Sequence, residues 1–361
     1  MDLDKLDWRD DLKWSHPQLE TMYGQMGGDI GYASVGLNDK LSDEERKKWA
    51  DDTNEQLNAL IPPMDPEYTR YFDVHGCPEE PDAPVFKLTV SIPKKPRTKR
   101  KNSAILIIPG GGLCLCMGAT SPTEVFANRY GVPVATFEYR TVIDAPYPAA
   151  LNDCFAAFLC LQEHAEELNI NPDKIVLHGN SSGGHLSLAL CHRLKRRGIT
   201  PRGCLVWVPV VDDRIMDEYR SVRINSAFWG GSDQPAMVRQ YLGKLADSAD
   251  VPAEAFPGRA TVEECVGLPP TFIHSMINDS GFDQACAYTS KLTAAGVYCE
   301  LHAWGGSQHC SLSTAANIID KDNPDAKYAQ LFNAVNEKEL DDMFQYDLRR
   351  PWTVEEFNEK D

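Results

Sequence analysis

Residues 176–190, VLHGNSSGGHLSLAL, constrain the fold of this chain more than any other stretch. An apolar run ends at Gly179, two serines follow side by side, and a helical pattern starts again after two more glycines. A strand, a tight turn and a helix in this order are typical of the element that holds one serine at the carboxyl edge of a parallel sheet. The glycines would be required because the turn brings backbone segments close together and leaves no room for side chains.

Gly179, Ser181 and Gly183 satisfy the pattern G-x-S-x-G, which gains meaning here because a strand precedes it and a helix follows. We therefore predict that Ser181 is a nucleophile, exposed at the positive end of the following helix. The alternative is a glycine-rich turn in which a serine only caps that helix. Ser182 is the weaker candidate, because only Ser181 has glycines two residues before it and two residues after it.

The surrounding pattern predicts an α/β fold with a mostly parallel central sheet and helices on both faces. Short apolar runs such as SAILII, KIVL and CLVWV alternate with longer helical patterns. The basic stretch PKKPRTKRK lies between two predicted strands, so a solvated hairpin tip is favoured over a nucleic-acid-binding patch. The alternation breaks between about residues 213 and 262, which indicates an insertion over the carboxyl edge of the sheet, where ligands bind.

A serine hydroxyl becomes a nucleophile only when a base removes its proton, and a carboxylate usually orients that base. On this kind of sheet the chain order is serine, acid, histidine, each near the carboxyl end of a strand. His309, in the loop that follows the last predicted strand, is the predicted base. The other downstream histidines fall on the helix after the turn or within strands: His185, His192, His274 and His302.

The acid should follow the strand TFIHSMI, which places Asp279 in the required position. Asp283 is interpreted as a residue of the first turn of the next helix. Asp212 and Asp213 follow an earlier strand and form the alternative pair. The glycine run PGGG at residues 109–112 follows a buried strand, so we predict that the amides of Gly111, Gly112 and Ser182 form an oxyanion hole. A phosphate-binding loop is disfavoured, because neither G-x-G-x-x-G nor a following G-K-[ST] is present.

Composition limits the partners of the chain. The formal net charge of −17 and the pI near 5.0 argue against nucleic acid and anionic membrane surfaces, which require basic footprints. Neither a signal peptide nor an apolar stretch of membrane-spanning length is apparent in the sequence. The 11 scattered cysteines indicate buried thiols in a reducing compartment, and Cys114 with Cys116 makes only a weak metal motif. We expect a soluble, cytoplasmic protein.

With these residues identified, residues 70–320 resemble the hormone-sensitive-lipase-like (family IV) esterase group of the α/β-hydrolases. The resemblance rests on PGGG, YPAALNDC, GNSSGG, LPPTFI, NDSGFDQACAY and GGSQHC. It implies that Ser181, Asp279 and His309 form a catalytic triad. Pro109 stands where that group has a histidine, and Cys310 stands where an aromatic residue is usual. PGGG together with GGHL also resembles bacterial carbohydrate acetyl-esterase-like hydrolases.

The resemblance further implies an α/β-hydrolase core over residues 63–212 and 263–345. A helical cap over residues 1–62 and 213–262 and a tail over 346–361 complete this division. Phe228 and Trp229 in the cap are candidate substrate contacts, although packing between cap and core would explain them equally well.

The expected function is cleavage of small or medium carboxylic esters, with no metal or organic cofactor. The alternatives are a sugar O-acetyl esterase, a related peptidase and a non-catalytic ligand-binding protein on the same scaffold, like the plant gibberellin receptor. A homodimer through an exposed edge strand is expected only by analogy with the fold.

Overall fold

The computed structural model describes residues 40–59, 63–116, 123–214, 233–312 and 327–350. Phe228 and Trp229, the candidate substrate contacts, lie outside these described residues, as do most of the N-terminal part of the expected cap and the end of the chain.

The described residues form one sheet of eight strands in the order β1-β2-β4-β3-β5-β6-β7-β8. The first three strands of this order pair antiparallel, and every later pair is parallel. The mostly parallel sheet expected from the sequence is therefore confirmed. The strands are β1 (Thr69–Val74), β2 (Phe86–Ser91), β3 (Asn102–Ile108), β4 (Val134–Phe137), β5 (Ile170–Asn180), β6 (Gly203–Trp207), β7 (Thr271–Asn278) and β8 (Cys299–Gln308).

Helices cover both faces of the sheet. One apolar cluster joins the sheet to α3, α4 and α7, and a second joins the opposite face to α2 and α8. The sequence of β3 is continuously apolar because both faces of the strand are buried: Leu106 packs into the first cluster and Ile105 into the second. The described helices are α1 (Asp43–Ala59), α2 (Thr123–Tyr130), α3 (Ala149–Glu163), α4 (Ser182–Arg196), α5 (Asp233–Leu242), α6 (Val262–Cys265), α7 (Phe282–Ala294) and α8 (Lys327–Gln345).

The first described helix, α1, begins at a capping box. The Ser42 hydroxyl accepts a hydrogen bond from the Glu45 amide at 3.2 Å, and the Glu45 carboxylate accepts one from the Ser42 amide at 2.8 Å. Arg46 of this helix reaches across to Gln240 of α5, with 2.6 Å between the guanidinium nitrogen and the side-chain oxygen. The helix before the core and the helix of the insertion therefore contact each other.

The basic stretch PKKPRTKRK is not a hairpin tip, so that prediction is wrong. Strand β2 pairs with β4, and β4 lies between β2 and β3 in the sheet. The stretch is a crossover connection between two strands that are not neighbours, and a sequence does not show that a later strand will be inserted between them. Within the described parts of the chain, no helix combines the length and hydrophobicity needed to cross a bilayer.

All 11 cysteines fall within the described residues and are free thiols. Eight of them are buried and three are half-buried, which fits the expectation of thiols in the core. Cys114 and Cys116 bond to different carbonyl groups: the Cys114 thiol contacts the Gly111 carbonyl, and the Cys116 thiol contacts the Phe137 carbonyl. The two sulfur atoms therefore serve two separate backbone contacts near the glycine run.

Candidate active site

The turn between β5 and α4 holds Ser181 in a strained backbone conformation. Its φ of 58° and ψ of −122° lie in a region that residues with a side chain rarely adopt. A Cβ atom at Gly179 would collide with the Gly183 carbonyl, and one at Gly183 would collide with the carbonyls of Ile108 and Pro109. The glycines on both sides of Ser181 are therefore required by close backbone approach, as the sequence pattern predicts.

Ser181, His309 and Asp279 form a continuous hydrogen-bonded chain. The Ser181 hydroxyl oxygen lies 2.8 Å from His309 Nε2, and His309 Nδ1 lies 2.6 Å from an oxygen of Asp279. All three side chains are buried, so the prediction that Ser181 is exposed is wrong. Three separate elements bring them together, since Ser181 follows β5, Asp279 follows β7 and His309 follows β8. The structure thus unites the three residues that the sequence selected one at a time.

The partners of His309 fix its tautomer. Because the Asp279 carboxylate can only accept, His309 Nδ1 carries a proton, which leaves the Nε2 lone pair facing the Ser181 hydroxyl. Burial by itself lowers the pKa of His309. The negative charge of Asp279 and the contact with the side chain of Cys310 together outweigh burial, and they hold the pKa of His309 well above its usual value. Asp279 is itself oriented, because one of its oxygens accepts from the Gly281 amide at 2.9 Å.

The two neighbouring serines have different roles. The Ser181 hydroxyl contacts His309, whereas the Ser182 hydroxyl lies 3.3 Å from the hydroxyl of Tyr139. Ser182 is the first residue of α4, so its backbone amide belongs to the positive end of that helix. The glycine run lies beside the turn, because a Cβ atom at Gly110 would approach the Asn180 carbonyl to 2.8 Å. Gly111 and Gly112 both have positive φ, at 134° and 62°.

The alternative acids are engaged elsewhere. Asp212 forms an ion pair with Arg214 at 2.7 Å, and Asp213 forms one with Arg259 at 2.7 Å. Asp283 lies in the first turn of α7, where the sequence placed it.

The remaining candidate histidines are buried structural residues. His185 Nδ1 donates to the Val210 carbonyl at 2.7 Å, and His192 lies 3.0 Å from the Tyr288 hydroxyl. Burial lowers the pKa of His185 and of His192 to about 4, so both remain neutral at physiological pH. Their surroundings in the core therefore agree with the choice of His309, rather than either of them, as the predicted base.

The two histidines of a second histidine–carboxylate cluster lie within β7 and β8, before the carboxyl ends of these strands. His274, His302 and Glu339 place one potential metal ligand each within 4.8 Å of one another. However, the indole N–H of Trp304 donates to His274 Nδ1 at 3.1 Å, so Nε2 carries the ring proton of the neutral imidazole and donates to Glu339 at 2.7 Å. Because a ligating nitrogen needs a free lone pair, His274 is engaged as a donor rather than as a metal ligand.

Sequence reasoning missed Tyr139 and singled out Cys310 only as a departure from the family pattern. Tyr139, just past β4, contacts both the glycine run and the serine turn: its hydroxyl lies 3.0 Å from the Pro109 carbonyl oxygen. Cys310, which follows His309, has a φ of 60°. Its sulfur atom lies 3.6 Å from the side-chain oxygen of Asn180. No spacing or motif connects Tyr139 with Pro109, which lies 30 residues earlier.

Residues 105–313, more than half of the chain, match a family described as having the alpha/beta hydrolase fold. Two curated relatives come from Mycobacterium tuberculosis. Esterase LipI is 28% identical over 252 residues, which cover 68% of this chain and 70% of LipI. Carboxylesterase NlhH is 29% identical over 220 residues, which cover 57% of this chain and 66% of NlhH.

Solved structures show the same architecture. A bacterial heroin esterase superposes with a TM-score of 0.77 at 24% identity, covering 93% of this chain and 99% of that chain. A thermostable esterase from Pseudomonas putida ECU1011 gives a TM-score of 0.70 at 21% identity, covering 92% and 98%. At these identities the likeness concerns the fold alone.

Proposed function

Because the chain belongs to the alpha/beta hydrolase fold family, we propose that it cleaves small or medium carboxylic esters with a Ser181–His309–Asp279 triad, through an acyl-enzyme intermediate. Its relatives are named esterases and carboxylesterases, and the chain is accordingly a carboxylic ester hydrolase. The observation that carries the finer proposal is the hydrogen-bonded chain from Ser181 through His309 to Asp279.

In the first half-reaction, the Ser181 oxygen bonds to the ester carbonyl carbon while its proton moves to His309 Nε2. The electron pair of the carbonyl double bond moves to the oxygen and forms an oxyanion. When that pair returns, the bond to the alcohol oxygen breaks, and His309 gives its proton to the departing alcohol. Water then repeats the sequence on the acyl-enzyme, releasing the acid and restoring the Ser181 hydroxyl.

Asp279 and the amides near Ser181 stabilise the charges that develop. The imidazolium formed on His309 lies 2.6 Å from the Asp279 carboxylate, which also prevents the ring from rotating. The amides of Gly111, Gly112 and Ser182 would donate to the oxyanion. The contact of the glycine run with the serine turn at Gly110 supports this assignment, because it places a loop backbone without side chains beside Ser181.

The expected cap remains part of the proposal. The contact between Arg46 of α1 and Gln240 of α5 supports it, since these helices come from the two cap segments, residues 1–62 and 213–262. Lys47 of α1 also lies 3.3 Å from Asp144 of the core. A cap attached in this way would cover the carboxyl edge of the sheet and limit substrate size.

Labelling with a fluorophosphonate probe followed by peptide mass spectrometry tests the nucleophile. We expect label on Ser181 in the wild type and in His302→Gln, and none in His309→Ala. His302→Gln is the matched control, because His302 lies on the strand that leads to His309 but contacts Glu339 instead. Absence of label from the folded wild type would contradict the proposal and favour a non-catalytic binding protein.

A panel of p-nitrophenyl esters with two to eight acyl carbons and of acetylated sugars then tests the substrate class. Turnover of the simple esters with a chain-length optimum would support the proposed class. Turnover of the acetylated sugars alone would replace it with sugar O-acetyl esterase.

A further inference from the structure

Tyr139 joins the glycine run to the turn that carries the nucleophile. Its hydroxyl lies 3.0 Å from the Pro109 carbonyl oxygen and 3.3 Å from the Ser182 hydroxyl oxygen, and its side chain is buried. We propose that Tyr139 is a positioning residue that braces the oxyanion hole in place of any side chain at residue 109. This inference rests on the proposed function and concerns the same site.

The direction of both hydrogen bonds follows from the groups involved. The Pro109 carbonyl can only accept, so the Tyr139 hydroxyl donates its one proton to that carbonyl oxygen. Ser182 must then donate its hydroxyl proton to the Tyr139 oxygen. Burial raises the pKa of Tyr139 well above its ordinary value, so the hydroxyl remains a donor throughout the working pH range.

This arrangement connects the two segments that supply the oxyanion hole, the start of α4 and the glycine run. Ser182 supplies one amide from the helix, and the loop that starts at Pro109 supplies those of Gly111 and Gly112. Proline has no polar side chain with which to hold the loop, and its peptide plane is fixed instead by the bond that its carbonyl accepts from Tyr139. One phenol group therefore contacts both segments that supply the donors.

Tyr139 is itself well placed for this task. Its backbone amide donates to the Cys116 thiol at 3.3 Å, and three residues later the Val142 amide donates to the Leu113 carbonyl at 2.9 Å. The segment that follows β4 thus holds the glycine loop at its beginning, middle and end. The ring of Tyr139 also packs edge-on against Phe137, with 6.5 Å between ring centres.

Loss of the brace should affect the transition state more than substrate binding. Oxyanion donors act at the tetrahedral stage, and removal of one donor typically lowers kcat about 10²–10³-fold. Tyr139→Phe keeps every donor and the bonds at Leu113 and Cys116, but it removes the bond that holds the loop at Pro109, so a smaller effect is expected. We expect kcat to fall roughly tenfold while KM changes less than about twofold.

The test compares Tyr139→Phe with Tyr288→Phe, which also removes one buried tyrosine hydroxyl that bonds a partner at 3.0 Å, in that case His192. Steady-state kinetics on a p-nitrophenyl ester would be measured together with inhibition by a trifluoromethyl ketone, which forms a tetrahedral adduct with a serine nucleophile. In Tyr139→Phe the inhibition constant should rise in parallel with the loss of kcat. In Tyr288→Phe both values should stay near those of the wild type.

The pH dependence provides a readout that general destabilisation would not reproduce. The Tyr139 hydroxyl bonds to Pro109 and Ser182 rather than to His309 or Asp279, so the inflection in kcat/KM should stay at the wild-type pH. An active wild type with unchanged kcat in Tyr139→Phe, or equal losses in both phenylalanine variants, would overturn the brace alone. A folded wild type that neither hydrolyses esters nor reacts with the probe would overturn the proposed function, and the brace with it.

Discussion

Two histidine–carboxylate clusters lie on the same pair of strands, yet only one is arranged for proton transfer. His309 and Asp279 lie beyond the carboxyl ends of β8 and β7, whereas His302 and His274 lie opposite each other within those strands. Both clusters have a histidine nitrogen within 2.8 Å of a buried carboxylate. Residue type and proximity therefore do not distinguish the candidate catalytic base from a structural histidine.

The difference lies in what faces the second ring nitrogen. The Nε2 lone pair of His309 faces the Ser181 hydroxyl, whose proton it can take. The corresponding lone pair of His274, on Nδ1, already accepts the indole N–H of Trp304. An indole donor is not a nucleophile at any physiological pH, so His274 has no proton-transfer partner.

The largest expected effect separates the two carboxylates. Asp279→Asn should lower kcat by roughly 10⁴-fold, because asparagine can stabilise the wrong tautomer of His309 and cannot balance the imidazolium. Steady-state kinetics with active-site titration would measure it. A loss below about tenfold would show that Asp279 is not the acid of a triad.

Glu339→Gln should give the opposite result, a loss of stability with little loss of activity. A glutamine oxygen can accept from only one of the two imidazoles, and its amide group then faces the other donor. We expect the free energy of unfolding to fall by roughly 2–4 kcal/mol, and kcat to change less than about threefold. Urea unfolding and kinetics on the same preparation would measure both, with Glu337→Gln on the exposed side of α8 as the control.

The pH dependence of activity should also separate the clusters. Because His309 must be neutral to act as a base, and its pKa is raised, kcat/KM should increase with pH and have its inflection above 6.5. Cys310 contributes to the raised pKa, so Cys310→Ala should move the inflection to lower pH, with the plateau changed less than about threefold. Cys286→Ala, which alters a half-buried thiol on α7, should leave the inflection unchanged. An identical inflection in wild type and Cys310→Ala would contradict this role.

The smallest expected effect concerns the stability supplied by His302. The ion pair with Glu339 raises the pKa of His302, so the stability that His302 contributes is fully present below the unfolded pKa of 6.5 and is lost as pH rises through the folded pKa. Burial raises the pKa of Glu339, but the contacts with His274 and His302 together outweigh burial and lower that pKa, so the carboxylate stays ionised in that range. His302 is part exposed, so the effect should stay below about 1 kcal/mol.

The measurement is the difference in unfolding free energy between the wild type and His302→Gln at pH 5.5 and at pH 8.5. We expect the larger difference at pH 5.5. A larger difference at pH 8.5 would mean that His302 is bound as a neutral ring.

The sequence was sufficient to select the three residues of the candidate triad, because each lies next to the carboxyl end of a strand and the chain order is restricted. It also indicated that His274 and His302 lie within strands. It did not reveal Glu339 as their partner, because that carboxylate comes from a helix 65 residues beyond His274. Nor could it show the contact between Tyr139 and Pro109, which depends on the order of strands in the sheet rather than on their order in the chain.

The backbone at Ser181 has a consequence for the thermodynamics of the whole chain. A residue with a side chain that is held at φ 58° and ψ −122° raises the free energy of the folded state, on the order of 1–3 kcal/mol. A glycine there would relieve that strain, but it would have no hydroxyl to offer His309. Maximum stability and the presence of a nucleophile are thus incompatible at this one position. A selection for more stable variants that monitored only folding would therefore favour the loss of the Ser181 hydroxyl.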